Sequence, residues 1–351
     1  MQKLNVQFGD QFLNTFKWIV DNAESKKIEY VFGLGDTTDT SSVEEYERAL
    51  TAFHSLDGVV DYSIVRGNLD KRAVFDTYFP WDFLKDTHDG TYDINTTRNT
   101  YRLFSVGQVD YLLINLDFGP ADNILAWAGD LCEQYPDRSV IITTHTYLCR
   151  NGQPLTKDDH VPPTQHGYSN DGDHIWEKLV SKYENISLVF SGHDAGNRIT
   201  MSQVEGRNGN IVTQMLINTS GLEAQSENGL GMVAMLYFSE DGKDVQVEYY
   251  SVVKDEYFRS INQFSFELDL ADGITKYPSA NAPEQGGNIY NGGTLNITGG
   301  EVYGGMANYG GNIYNAGSMN HAVGTVFGGI AFNGRNIYDA TAAKMADYSK
   351  K

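Results

Sequence analysis

Positive charge is what this chain lacks. Its 26 lysines and arginines stand against 46 aspartates and glutamates, a formal net charge of −20. No basic patch can dominate such a field, which argues against a nucleic-acid partner held through its phosphates. Cysteine is scarce too: Cys132 and Cys149 are too few for a disulfide framework and leave the redox compartment unread. No apolar run approaches membrane-spanning length. The start, Met1 to Phe8, has no charged region followed by an apolar one, so no export signal is expected in this chain. At 351 residues the chain is still long enough for one large domain or two smaller ones with a full core.

What is present alternates. Phe12, Phe16, Ile19 and Val20 recur at helical spacing over 11–24, with Asp10 as a plausible N-cap. A buried strand is expected over 28–34, a helix over 42–54 with Glu44, Glu45 and Glu47 early in it, and a strand over 59–65. Strands at 111–118, 139–144 and 186–191 alternate with helices at 124–134 and 173–183. This order predicts a layered α/β domain. After Gly196 the helical signals stop, and 210–218, 231–238, 245–252 and 264–268 read as antiparallel strands of a second sheet.

From Gly286 the composition changes. Gly286-Gly287-Asn288-Ile289-Tyr290 recurs as Gly310-Gly311-Asn312-Ile313-Tyr314 and as Gly334-Arg335-Asn336-Ile337-Tyr338, and Gly304-Gly305 is echoed by Gly328-Gly329. The fixed 24-residue period, with glycine corners and short apolar strands, points to a β-solenoid-like repeat. A flexible Gly/Asn linker is the alternative, against which stands an aromatic kept in register. The expected organisation is one α/β domain over 1–272, a linker over 273–285, repeats over 286–339 and a tail over 340–351.

Four short stretches carry chemistry: Gly35-Asp36-Thr37-Thr38-Asp39, Gly67-Asn68-Leu69-Asp70, Thr144-His145 and Gly192-His193. Singly, each reads as a turn, a cap or a packed histidine. Together, each ends a predicted strand and brings a metal-type ligand to one sheet edge. A carboxylate, an amide oxygen and two imidazoles make a mixed O/N shell suited to Zn, Mn, Fe or a similar divalent ion. His54, His88, His160, His166, His174 and His321 have no such setting and read as surface or packing residues, with His160 and His166 in a loop bordering the cleft. Tyr147, Arg66 and Arg72 read as ordinary surface or loop residues.

These motifs, in this order over residues 10–270, resemble the calcineurin-like metallophosphoesterases. Trp18-Ile19-Val20-Asp21-Asn22, Ala126-Trp127-Ala128 and Ile142-Thr143-Thr144-His145-Thr146-Tyr147 resemble an extracellular bacterial branch. The resemblance implies a four-layer α/β/β/α sandwich with two metal ions at the strand ends, and attack of a metal-activated water on a phosphate ester. It makes Asp36 the bridging carboxylate, Asn68, His145 and His193 ligands of the second metal, and Asp39 a brace of the first loop. The substrate is a phosphate ester, and the home is extracellular or in the cell envelope, with cell-surface association through the repeat.

The departures point the other way. The family's opening Asp-x-His motif has no counterpart here. Leu69 stands where a charge-stabilising histidine is expected, which leaves Asp70 without that partner. Ala195 stands where a second histidine often follows Gly192-His193. The expectation is one competent metal position and one crippled one. The chain is then an N-terminally incomplete enzyme, a degenerate binding module of the same fold, or the passenger of a surface or adhesive solenoid.

Overall fold

The computed structural model describes residues 2–271, 274, 288–303, 312–327 and 337–339. The chain divides into two compact units, residues 1–274 and 275–351.

The first unit opens with α1 (Gln2–Gln7), α2 (Gly9–Asn22), β1 (Tyr30–Gly33), α3 (Val43–His54), β2 (Asp61–Ile64) and α4 (Arg72–Tyr78). β3 (Gly90–Thr91), β4 (Thr100–Val106), β5 (Val109–Leu116), α5 (Asp122–Gln134), β6 (Ser139–Thr144), α6 (Gly172–Lys178) and β7 (Ile186–Ser191) follow. β8 (Thr200–Glu205), β9 (Ile211–Leu216), α7 (Ser220–Gln225), β10 (Met232–Phe238), β11 (Asp244–Ser251), β12 (Glu256–Tyr257) and β13 (Phe264–Glu267) complete it.

Seven strands form one sheet in the order β3-β4-β5-β6-β7-β9-β8, with β5, β6, β7 and β9 parallel. Every residue of β6 and β7 is buried, as continuous apolar runs in the middle of a covered parallel sheet require. Alternation sends their side chains to two cores. On one face Leu112, Ile114, Ile142 and Val189 pack against Leu125 and Leu131 of α5 and Ile175 of α6. On the other, Leu113, Ile141, Leu188 and Phe190 meet Val245, Val247 and Phe266 of β11 and β13. Tyr30, Phe32 and Leu34 pack on that same core. A third core joins Phe12 and Phe16 of α2, Tyr46 and Phe53 of α3 and Phe79 to Tyr62 and Ile64 of β2. The result is a mixed α/β unit layered as helices, strands, sheet, helices.

Several expectations change. Residues 211–216 do not join the later antiparallel strands; they lie parallel to β7 in the large sheet. Helix α7 follows Gly196, where no helix is expected, and α1, α4, β4 and β8 also go beyond the sequence reading. Asp10 is not the cap of α2: Phe8 holds that position, and Asp10 lies in the first turn, where its charge complements the helix dipole. α3 starts as expected, its Ser42 and Glu45 forming a reciprocal capping box.

The second unit is built from β14 (Ile289–Asn291), β15 (Thr294–Tyr303), β16 (Ile313–Asn315), β17 (Ser318–Phe327) and β18 (Ile337–Asp339). β14, β16 and β18 pair in parallel, with Ile289 beside Ile313 and Ile313 beside Ile337. β15 and β17 pair the same way. Tyr290 stacks on Tyr314 with centroids 5.5 Å apart, and Asn288 Nδ2 donates to Asn312 Oδ1 at 2.8 Å. Ile297, Ile313 and Ile337 are buried together. The glycine pairs at 286–287, 304–305, 310–311 and 328–329, most of the expected linker and the expected tail lie outside the described residues.

Candidate metal centre

The four predicted residues meet. Asn68 Oδ1 lies 3.1 Å from His145 Nε2 and 3.0 Å from His193 Nδ1, and the two imidazole nitrogens are 3.3 Å apart. Asp36 Oδ2 is 3.3 Å from the same His145 Nε2. Asp36 and His145 are buried. Each side chain comes from just beyond a strand: Asp36 follows β1, Asn68 follows β2, His145 follows β6 and His193 follows β7.

The main chain bends sharply to make this edge. Asp36 and His193 have φ of 48° and 69°, in the left-handed region that costs most residues energy. Gly35, at φ 83°, lets the chain pass His145 closely; a Cβ there would stand 2.6 Å from His145 Nδ1. At Gly67 a Cβ would stand 2.2 Å from both the amide nitrogen and Oδ1 of Asp36. Only glycine fits at either point.

Both imidazoles are aimed by the backbone. His145 Nδ1 lies 2.8 Å from the carbonyl of Leu34, and His193 Nε2 lies 3.3 Å from the carbonyl of His160. A carbonyl only accepts, so the ring proton of each histidine belongs on the nitrogen turned away from the cluster. His145 Nε2, His193 Nδ1 and Asn68 Oδ1 are then three acceptors facing one another, an arrangement that needs a cation between them. A proton fills that need in part. Burial opposes charge on His145, but the adjacent Asp36 carboxylate raises its pKa all the same. Burial and the His145 charge lower His193 to about 4. Asp36 is held below the usual carboxylate range: burial works against its charge, and His145 and the Leu69 amide, which donates to Oδ1 at 2.9 Å, outweigh it. The 3.0–3.3 Å separations among Asn68 Oδ1, His145 Nε2 and His193 Nδ1 are edge lengths expected of ligand atoms about 2.1 Å from a central ion, with Asp36 adjoining this trio through His145. The donor set therefore fits a divalent metal.

The surrounding brace differs from expectation. Asp70, which lacks the expected histidine partner, is fully buried and accepts four hydrogen bonds, from Thr37 N (3.1 Å), Thr38 N (2.9 Å), Thr38 Oγ1 (2.8 Å) and Gly67 N (3.0 Å). It ties the Asp36 loop to the Asn68 loop. Burial and the neighbouring Asp36 charge raise its pKa against the pull of these donors. Asp39, expected to brace the first loop, pairs outward with Lys3 at 2.7 Å. Glu45 takes the bracing role, accepting from Asp39 N, Thr40 N, Thr40 Oγ1 and Ser42 N.

Asp117 was missed, although it too follows a strand, β5. It pairs with Arg66 at 2.6 Å and with Arg98 at 3.3 Å. Arg66, expected on the surface, is 1% exposed and lies over the rings of Phe118 and Tyr168. Arg72 remains half exposed near the same carboxylate. Phe118 also lies 6.1 Å from each of the two site imidazoles, an apolar wall to the cluster. Tyr147 is buried and donates to Gln214 Oε1, away from the site. A separate acidic group, Asp171, Asp173 and His174, has ligand atoms within 4.8 Å of one another. Asp171 there already caps α6 and accepts from Thr164, so its oxygens are committed.

Comparison with known proteins bears on the family of the chain. An uncharacterized protein of Bacillus subtilis (strain 168), YvnB, is 29% identical over 281 residues, 74% of this chain; the chain spans only about 20% of that relative's length. GAP50, titled the anchor in the inner membrane complex of Plasmodium, aligns at 13% identity and a TM-score of 0.40 over 75% of this chain and 84% of its own. The family model of the calcineurin-like phosphoesterases matches residues 9–197, more than half of the chain. The chain therefore belongs to that family, whose general chemistry is metal-dependent hydrolysis of phosphate esters.

Proposed function

We propose that this chain hydrolyses a phosphate ester at the strand-end cluster, with a divalent metal held by Asp36, Asn68, His145 and His193. The observation that carries the reading is the convergence of three acceptor atoms within 3.0–3.3 Å of one another while both imidazole protons are engaged elsewhere. When bound, the metal supplies a Lewis acid and a water of lowered pKa. The chain's own part is to hold the ligands in place. Leu34 and His160 fix the two imidazoles, the Leu69 amide fixes Asp36, and Phe118 limits water on one side. In the reaction the water oxygen bonds to phosphorus, the ester P–O bond breaks, and the leaving oxygen takes up a proton. Leu69 has no group to donate that proton, so leaving groups that need no acid, such as nitrophenol, react best. The decisive test is elemental analysis of purified protein together with turnover of 4-nitrophenyl phosphate. Metal content and activity that survive both Asp36→Ala and His145→Ala would sink the assignment.

Leu69 also supports a second reading, a phosphate-ester binding module with little turnover. Leu69→His separates the two. A gain in rate on an alkyl phosphate favours a weakened enzyme, and tight binding with no gain favours the module.

For the C-terminal residues 286–339 we propose a β-solenoid, a role in cell-surface association, and an extracellular or cell-envelope setting. The parallel, in-register pairing of Ile289, Ile313 and Ile337 supports the solenoid. Resistance of this segment to limited proteolysis is its test; ready cleavage would favour a linker.

A further inference from the structure

Beside the metal cluster the surface turns cationic. A cavity of about 380 Å³ opens on the loop that carries His193, lined by Ala195, Arg150 and Arg198 and closed by Leu222 and Gln225 of α7. The loop is pinned: Asn218 Nδ2 donates to the His193 carbonyl at 2.8 Å, and Gly196 N donates to the Asn218 carbonyl at 2.9 Å. A second cavity of about 220 Å³ shares the Leu222 and Gln225 wall and adds Lys254 and Arg259. Both border α7 and share two wall residues, a trough whose first part also borders the loop that follows His193.

Its charge is against the run of the molecule. In a chain of 26 basic and 46 acidic residues, the trough carries four cations, and among the described residues no aspartate or glutamate lines it. Asp194 stands nearby, but both its oxygens are taken by Arg150, through Nε at 3.0 Å and the backbone amide at 2.9 Å. That pairing holds the guanidinium in place and offsets its charge, so the uncompensated cations are Arg198, Lys254 and Arg259. Arg198 has no ion pair or side-chain hydrogen bond among the described residues. Low-dielectric walls lined by one sign of charge concentrate ligands of the other sign.

We propose that this trough is a leaving-group subsite for an anion, so that the substrate is a phosphate ester carrying a second negative group on a chain long enough to leave the metal cluster. This rests on the reading of that cluster as the site that grips the phosphoryl group. Arg198, with Lys254 and Arg259 beyond it, selects the second anion, and Arg150 is held in position by Asp194.

The test uses ω-carboxyalkyl phosphates in a graded series of chain lengths, each paired with the ω-hydroxyalkyl phosphate of equal length, and the phosphonate analogues of both. On Mn²⁺-loaded protein, calorimetry with the phosphonates reads affinity and initial rates with the phosphates read KM. At one or more lengths the carboxylate is expected to bind about tenfold better than the hydroxyl. That ratio should fall toward one in Arg198→Gln combined with Lys254→Gln and Arg259→Gln, all at exposed positions, and should shrink as salt rises. A ratio near one at every length in the unaltered protein, or a ratio that survives the triple variant, overturns the proposal. If no phosphate is hydrolysed but the phosphonate ratio is present and sensitive to the variant, the hydrolase reading fails and the subsite stands.

Discussion

In the first unit unlike residues meet; in the second, like meets like. Asp36, Asn68, His145 and His193 arrive from four strand ends far apart in the chain and differ in type. Ile289, Ile313 and Ile337, or Tyr290 and Tyr314, are the same residue met again 24 positions later. A site made of unlike groups is specified by every one of them and by the turns that aim them. A ladder of like groups is specified by its period, and each rung is nearly interchangeable.

That difference sets the order of damage. If Asp36 is a ligand as proposed, Asp36→Ala should cost about 10³-fold in turnover of 4-nitrophenyl phosphate, about 4 kcal/mol, with metal content falling in step. If activity falls while metal stays, Asp36 acts on the substrate rather than on the ion. Asp70→Ala should destabilise the first unit by about 3–5 kcal/mol, read as a lower urea midpoint, because four buried donors lose their acceptor. Ile313→Ala should cost about 2–4 kcal/mol in the second unit only, with turnover unchanged. Loss of activity there would show that the two units do not act independently.

An effect that is smaller per unit of pH, though not over the whole range, comes from a buried histidine. His88 is buried and lies 3.3 Å from the Tyr30 hydroxyl; burial, with help from Arg102, depresses it to about 3. Its unfolded form charges near 6.5 while the folded form stays neutral. The unfolded chain therefore binds more protons, and stability is lost as pH falls from about 6.5 toward 3, at about 1.4 kcal/mol per unit. His88→Gln should flatten that slope in urea midpoints measured across the range. Smallest of all, Asn288→Ala should cost about 1 kcal/mol of the second unit by removing one rung.

The convergence of Asp36, Asn68, His145 and His193 was legible because these residues follow strands whose apolar runs mark them: residues 139–144 and 186–191 have the same bounds in sequence and structure. What was not legible depended on partners distant in the chain. Asp70 reads as a histidine's companion until Thr37, Thr38 and Gly67 are seen around it. Arg66 reads as a surface residue until Asp117 neutralises it and Phe118 and Tyr168 cover it. Glu45 reads as a charge at a helix start, which it is, and also as nothing more, though its carboxylate closes the whole first loop. The assignment of 211–216 to the wrong sheet has a similar cause. Its apolar run fits either sheet, and only its pairing with β7 decides.

The in-register ladder has a consequence for how this protein can change length. A shift of one residue would turn each isoleucine from the inside to the outside and set tyrosine where isoleucine packs. Within these paired strands an insertion or deletion therefore breaks the ladder, whereas adding or removing a whole 24-residue unit keeps it, so close variants of this chain are expected to gain or lose strands here in whole repeats.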